Sequence, residues 1–298
     1  MHPPRTYADI ANRGSSLDSP EAEALLAALP PRVRALLIDQ YLHSPLPSSR
    51  EIRDFLVDAS PICRLIYDTP GSALAFEYLY SQNVSTAVDR YLITCRAGAQ
   101  IYERLRSLEA HLPFWFDRLL AGQKTIRIDN VGCGTGRDTI GVLAARRDLA
   151  RLATVRHIDP DDQALRISRK LAQHRGVARS ISFHASKFSH MPAVGADIVL
   201  LIGILCPLHR RVSKAVLRSA APYVRPGGLV IYSTALHQMV IDDPLTDFLM
   251  RLTGWSMTYK SEQETEELAT ALGWQIRGRF FDEPRHHHCM VVAEVPES

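Results

Sequence analysis

From Lys124 onward, short apolar runs alternate with amphipathic stretches of helical period, and this alternation restricts the fold more than any other feature of the chain. Strands are predicted over residues 126–131, 154–158, 181–184, 197–202 and 229–232. Helices are predicted between them over 137–146, 161–173 and 210–223, and after them over 244–251 and 262–272. Such an order requires a parallel sheet covered by helices on both faces. Two closing strands, 275–281 and 288–294, are joined by little more than Asp282-Glu283-Pro284-Arg285. A link that short cannot make a parallel crossover, so the pair must be antiparallel. The expected fold class is therefore α/β: seven strands, mostly parallel, with an antiparallel last strand.

The front of the chain reads differently. Residues 19–122 show helical spacing and no strand-like alternation. Ser19-Pro20-Glu21 has an N-cap residue, a proline at the first helical position and an acid in the first turn. Pro30-Pro31 breaks that helix. A second is expected over 33–42, and Ser48-Ser49-Arg50-Glu51 opens a third. Thr69-Pro70-Gly71 is a turn. Long amphipathic stretches cover 86–105 and 109–120. The expected organisation is a loose terminus (1–18), an all-α N-terminal region (19–122) and a sheet domain (123–298).

Composition excludes several classes. The 298 residues are 46% hydrophobic and 22% charged, enough for a large core without staples. No apolar run reaches the ~20 residues of a membrane span, and Met1-His2-Pro3-Pro4-Arg5 leads into no apolar core of a signal peptide. The cytoplasm is the expected location. Cys63, Cys95, Cys133, Cys206 and Cys289 are scattered without C-x-x-C spacing, against a disulfide framework or a zinc ribbon. The 35 basic and 32 acidic residues give a net charge of +3, and no block of like charge appears. Neither nucleic acid nor a membrane is an expected partner. Oligomeric state leaves no mark on the sequence.

The chemistry is concentrated where the first strand ends, in Asn130-Val131-Gly132-Cys133-Gly134-Thr135-Gly136-Arg137-Asp138. Three alternate glycines between a strand and a helix let backbone approach a ligand at the helix N-terminus. The spacing is not the dinucleotide fingerprint, and no Lys-Ser/Thr pair follows for a triphosphate. The second strand ends in Asp159-Pro160. A carboxylate at that tip can take both hydroxyls of a ribose; its competing role is to cap the helix that follows. The third strand leads into Ser186-Lys187-Phe188 and the fourth into Gly203-Ile204-Leu205-Cys206-Pro207. Arg225-Pro226-Gly227-Gly228 then forms a turn before the fifth strand.

Taken in order, these pieces over residues 124–296 resemble the class I S-adenosylmethionine-dependent methyltransferases, whose sheet is Rossmann-like. Gly227–Tyr232, Trp255-Ser256-Met257, Gln263-Glu264 and Asp282-Glu283 are also similar to an uncharacterised bacterial methyltransferase family. The resemblance implies S-adenosyl-L-methionine as cofactor. It places Gly132, Cys133, Gly134 and Gly136 against the methionine and ribose, Asp159 and Pro160 at the ribose, Ser186, Lys187 and Phe188 at the adenine, and Gly203 and Ile204 near the sulfonium. Two positions depart from the pattern. Asn130 stands where many members carry an acid, and would accept from the cofactor amino group without a charge. Lys187 stands near a frequent aspartate.

The same resemblance implies methyl transfer to oxygen, nitrogen or carbon of an acceptor. A small-molecule acceptor is expected. The segment 203–207 lacks the Asn/Asp-Pro-Pro-aromatic tetrapeptide of base-amino methylation, and Cys206-Pro207 has the wrong order for a cytosine-C5 enzyme. Cys206 is expected to be a buried small residue. His237, after the fifth strand, is the first candidate base, with His209 behind it; Tyr259 is a candidate for the acceptor pocket. His286-His287-His288 resembles a metal tract, but neighbouring strand residues point to opposite faces, so no metal site is expected. The helical front, with aromatics at Phe76, Tyr78, Tyr80, Phe114, Trp115 and Phe116, is expected to shape an apolar pocket suited to a small metabolite or acyl substrate. The alternatives are a nucleic-acid or protein methyltransferase on the same fold and a non-catalytic cofactor-binding relative.

Overall fold

The structure, a computed structural model, describes residues 13–44 and 46–297. The chain divides into two compact units. One, helical, holds the residues up to Tyr102 together with His237–Met257; the other holds Glu103–Leu236 and Thr258 onward.

The helical unit contains α1 (Arg13–Ser16), α2 (Pro20–Ala28), α3 (Pro31–His43), α4 (Arg50–Ala59), α5 (Pro61–Asp68), α6 (Ala73–Ser81), α7 (Ala87–Thr94) and the start of α8 (Arg96–Leu120). Ser19, Ser49 and Ser60 cap their helices, accepting from the amides of Ala22, Ile52 and Cys63. Residues 1–12 of the expected loose terminus lie outside the described residues. From Arg13 onward that expectation is corrected. Arg13 Nη1 donates to the carbonyls of Tyr41 and Ser44 at 2.8 and 2.9 Å, which ties α1 down.

The two long stretches expected over 86–105 and 109–120 are divided elsewhere, at Cys95. There the backbone leaves the helix, and Asp243 Oδ2 accepts from the freed Ala97 amide at 3.0 Å. Gly98 is required at this corner, because a Cβ would lie 2.0 Å from the Leu92 carbonyl oxygen. α8 then runs unbroken through Pro113.

The boundary near residue 122 also moves. Leu108, Leu112, Trp115 and Phe116 of α8 are buried in the core of the sheet unit, so that unit begins at Glu103. Conversely, α13 (His237–Asp242) and α14 (Pro244–Leu252) belong to the helical unit, where Phe248 meets Tyr41 edge-on and Trp255 meets Phe76. Deleting residues 1–110 would therefore remove core from both units.

The sheet unit has seven strands: β1 (Ile126–Val131), β2 (Ala153–Asp159), β3 (Ile181–Ala185), β4 (Ala196–Leu201), β5 (Val224–Ala235), β6 (Gln275–Phe281) and β7 (His288–Glu294). Their order is β3-β2-β1-β4-β5-β7-β6. Only β7 runs against its neighbours, pairing antiparallel with both β5 and β6. The helices α9 (Arg137–Ala145), α10 (Leu149–Leu152), α11 (Asp162–His174), α12 (Arg210–Ala220) and α15 (Glu262–Thr270) complete the unit.

Alternate residues of one strand feed opposite faces, as pleating requires. Leu229 and Ile231 join α8 and α9 in one core, while Val230 and Tyr232 join α12 and α15 in the other. Pro226-Gly227-Gly228 is not a turn before β5 but lies inside it, where the register with β4 shifts. A Cβ at Gly228 would meet Val224 Cγ1 at 2.7 Å, so the irregular strand closes on itself there.

Candidate active site

The parallel order changes direction between β1 and β4, and ligands of such sheets bind at the strand C-termini around that point. The residues there are Asn130, Gly132, Cys133, Gly134, Gly136, Asp159, Pro160, Ser186, Lys187, Phe188, Gly203 and Ile204. Asn130 and Asp159 are among the last two residues of β1 and β2, and the others follow the ends of β1, β2, β3 or β4.

Gly132, Gly134 and Gly136 have φ of 57, 54 and 62°, a left-handed bend that disfavours a side chain. Their other neighbours differ. A Cβ at Gly132 would lie 2.8 Å from Ile204 Cδ1, and one at Gly136 would lie 2.2 Å from His157 Cε1. Protein side chains thus use the space at these two positions. Gly134 instead turns its N–H onto Asp159 Oδ2 at 2.8 Å.

Asp159 is 8% exposed and ends β2. Its second oxygen accepts from the Asp161 amide at 2.9 Å. The helix-capping role falls to Asp161, whose side chain accepts from Gln163 and Ala164. Burial raises the Asp159 carboxyl above the usual range against the two backbone donors that lower it. Ser186 continues the ring of backbone contacts, its amide donating to the Asp159 carbonyl at 3.1 Å. Lys187 is exposed; the Phe188 ring lies 4.1 Å from that of Tyr223. Gly203 donates its amide to Ser233 Oγ at 2.8 Å. Burial and nearby Asp159 push the Cys133 thiol well up, which suits a structural thiol.

Asn130 is 1% exposed, and its amide nitrogen donates to Asp138 Oδ1 at 2.9 Å and Thr139 Oγ1 at 3.3 Å. The negative charge absent at position 130 therefore stands at Asp138, in the first turn of α9. Burial raises its carboxyl; the Thr139 amide, Asn130 and the charge of Arg104 pull the other way. Asp138 was legible in the motif. Arg104 was not, since it comes from α8, outside the motif, and only packing brings it here. Arg104 is 8% exposed, 3.4 Å from His288 Nε2, and 3.6 Å from where a Cβ of Gly203 would be.

His157 lies behind the bend, with its two ring nitrogens 2.7 Å from Thr139 Oγ1 and 2.8 Å from Ser168 Oγ. Burial pushes its pKa down to about 3. The folded state therefore refuses a proton that the unfolded chain accepts near 6.5. Between those values stability falls as pH falls, by up to about 1.4 kcal/mol per pH unit. Urea unfolding of the wild type from pH 7 to pH 4 should show this slope, and His157→Gln should flatten it.

His237 opens α13 in the helical unit, and half-buried Tyr259 belongs to the sheet unit, directly before Lys260. The histidine tract does not converge. His286 pairs with Glu283 and stacks on Phe281, whereas His288 turns to Asp282. Among the described residues no group of three or more His, Cys, Asp or Glu is placed to hold a metal ion.

Residues 130–230 match the model of a methyltransferase domain family. Residues 130–230 thus form a methyltransferase domain. Structures with the same fold surround this domain in comparisons of known folds. One is described as a possible exported protein from Bordetella parapertussis: 17% identity, TM-score 0.64, covering 96% of this chain and 100% of that one. Magnesium protoporphyrin IX methyltransferase from Synechocystis PCC 6803, with bound SAH, is 14% identical with TM-score 0.57, covering 78% and 99%. An O-methyltransferase family 2 protein from Planctomyces limnophilus DSM 3776, in complex with apigenin, is 19% identical with TM-score 0.50, covering 99% and 97%. No curated protein matches the sequence. Among the described residues, no helix is long and apolar enough to cross a membrane.

Proposed function

We propose that this chain transfers the methyl group of S-adenosylmethionine to an oxygen, nitrogen or carbon atom of a small molecule. The observation that carries the reading is Asp159. Its carboxylate is turned onto the Gly134 N–H, and each oxygen, having accepted one backbone donor, keeps a lone pair for one hydroxyl of a ribose diol. Asp138 and Arg104 supply opposite charges near the bend, as a zwitterionic methionine end requires. Ser186, Lys187 and Phe188 would flank the adenine, and Gly203 with Ile204 the sulfonium.

The bound cofactor supplies an electrophilic methyl group. The chain's own contribution is to hold the donor still and bring the acceptor in line, a gain in proximity that requires no covalent intermediate. One of the named proteins above acts on a small molecule by name and another is held in complex with one, and no block of like charge offers a nucleic-acid groove. The described cysteines form no disulfide, in keeping with a cytoplasmic setting.

Calorimetry should detect both S-adenosylmethionine and its demethylated product. Turnover of labelled cofactor against a small-metabolite extract, with mass analysis of the product, then identifies the acceptor atom. Absence of cofactor binding would overturn the reading.

A further inference from the structure

We propose that Asp282 and His288 are positioning residues that aim the Arg104 guanidinium at the carboxylate of the cofactor's methionine end. The inference rests on the methyl-transfer reading and adds to it the group that holds that carboxylate and the pair that orients it. All three residues belong to the sheet unit: Arg104 lies in α8, Asp282 directly follows β6 and His288 begins β7.

The guanidinium stands over backbone at the strand ends. Its Nη1 and Nη2 lie 3.6 and 3.9 Å from the point that a Cβ of Gly203 would occupy. Gly203 follows β4 with a φ of 82° and turns its amide onto Ser233 Oγ, so no side chain separates it from the arginine. Ile204, the next residue, reaches the bend at Gly132. Gly203, Ile204, Gly132 and Cys133 are all partly exposed, so the arginine borders the open end of the sheet. S-adenosylmethionine carries a sulfonium, an ammonium and a carboxylate. Only the carboxylate attracts a cation, and its two oxygens match the planar donor fork of an arginine.

The aim is set from the β6–β7 turn. Asp282 holds His288 twice: Oδ1 accepts from the His288 backbone N–H at 2.6 Å, and Oδ2 lies 2.9 Å from ring Nδ1. That grip places a proton on Nδ1 and turns the lone pair of Nε2 outward. Arg104 Nη1 lies 3.4 Å from Nε2. Because the guanidinium is rigid and planar, holding one terminal nitrogen fixes the direction of the whole fork.

The turn is itself braced. The His286 amide donates to the Asp282 carbonyl at 2.8 Å, and the His286 ring stacks on Phe281 and pairs with Glu283. The Leu236 amide donates to the His287 carbonyl at 2.8 Å. Glu103, beside Arg104 on α8, pairs with Arg285 of the same turn. A binding group held to productive geometry needs such support. The strand does not need the dyad for its own placement, since β7 is already paired along its length with β5 and β6.

The test is calorimetry on the full chain with two ligands, the demethylated cofactor product and its decarboxylated analogue, which ends in an amine. Their affinity ratio isolates the carboxylate, and because it is taken within each variant, a general loss of folded protein cancels. The wild type should prefer the carboxylate ligand by about 10- to 100-fold, the value of a charge-assisted contact. Arg104→Met should abolish the preference and Arg104→Lys should restore part of it. His288→Leu should reduce it, whereas His288→Gln should keep most of it, because the glutamine oxygen offers an acceptor in place of Nε2. Asp282→Asn, though of the same shape, should reduce it: an amide that donates to Nδ1 drives the ring proton to Nε2, against Arg104.

Equal binding of the two ligands by the wild type, or a preference that survives Arg104→Met, overturns the carboxylate assignment. A preference untouched by both His288→Leu and Asp282→Asn overturns the positioning role. Failure of both ligands to bind the wild type overturns the cofactor reading itself, and this inference with it.

Discussion

Replacing Asp159 with alanine is expected to weaken S-adenosylmethionine binding at least about 100-fold. Hydrogen bonds to an ionised group contribute ~1.5–3 kcal/mol each, and two hydroxyls would lose their acceptor together. The Gly134 and Asp161 amides would also lose theirs, so the bend itself would loosen. Asp159→Asn should fall between wild type and alanine, because an amide can accept through only one of its two terminal atoms. The raised Asp159 pKa adds a pH signature. Binding should weaken on acidification at a higher pH than an ordinary aspartate would dictate, and Asp159→Asn should lack that inflection. Isothermal calorimetry across pH measures both effects, and unchanged affinity in the alanine variant would remove the ribose assignment.

Gly136→Ala is expected to cost about 3 kcal/mol of folding stability. A β-carbon there would lie 2.2 Å from the His157 ring, and the φ of 62° is itself unfavourable for alanine. His157 cannot swing away cheaply, since Thr139 and Ser168 hold both of its nitrogens inside the core. Urea unfolding measures the loss. A double-mutant cycle with His157→Ala should recover the part due to overlap and leave the part due to backbone conformation. A loss under 1 kcal/mol would show that the bend relaxes and that the third glycine is not dictated by packing.

The sheet was legible because each strand is a short apolar run bounded by turn residues. Segments 275–281 and 288–294 were read with the bounds that the structure shows for β6 and β7. The strand-four and strand-five junction was not, because Pro226-Gly227-Gly228 carries turn composition yet lies in a bulged strand. The break at Cys95 was missed for a different reason. The amide freed there is satisfied by Asp243, 146 residues away from Ala97, and no local pattern announces so distant a partner. Among the site residues, Asp159 and the glycines announce themselves by adjacency to strand ends. Arg104 and the pairing of Asp282 with His288 do not, because side chains that meet only after the sheet has closed leave no spacing to read. Cys206 was rightly expected to be buried.

The assignment of His237–Met257 to the helical unit has a consequence for synthesis on the ribosome. Asp243 accepts from the Ala97 amide, and Phe248 and Trp255 pack on Tyr41 and Phe76, yet they emerge more than 140 residues after residue 102. The nascent helical segment must therefore wait with apolar surface uncovered for about ten to thirty seconds at ordinary elongation rates. A segment made before the sheet unit is thus finished only late in that unit's synthesis, a period in which a holding chaperone would have its natural client.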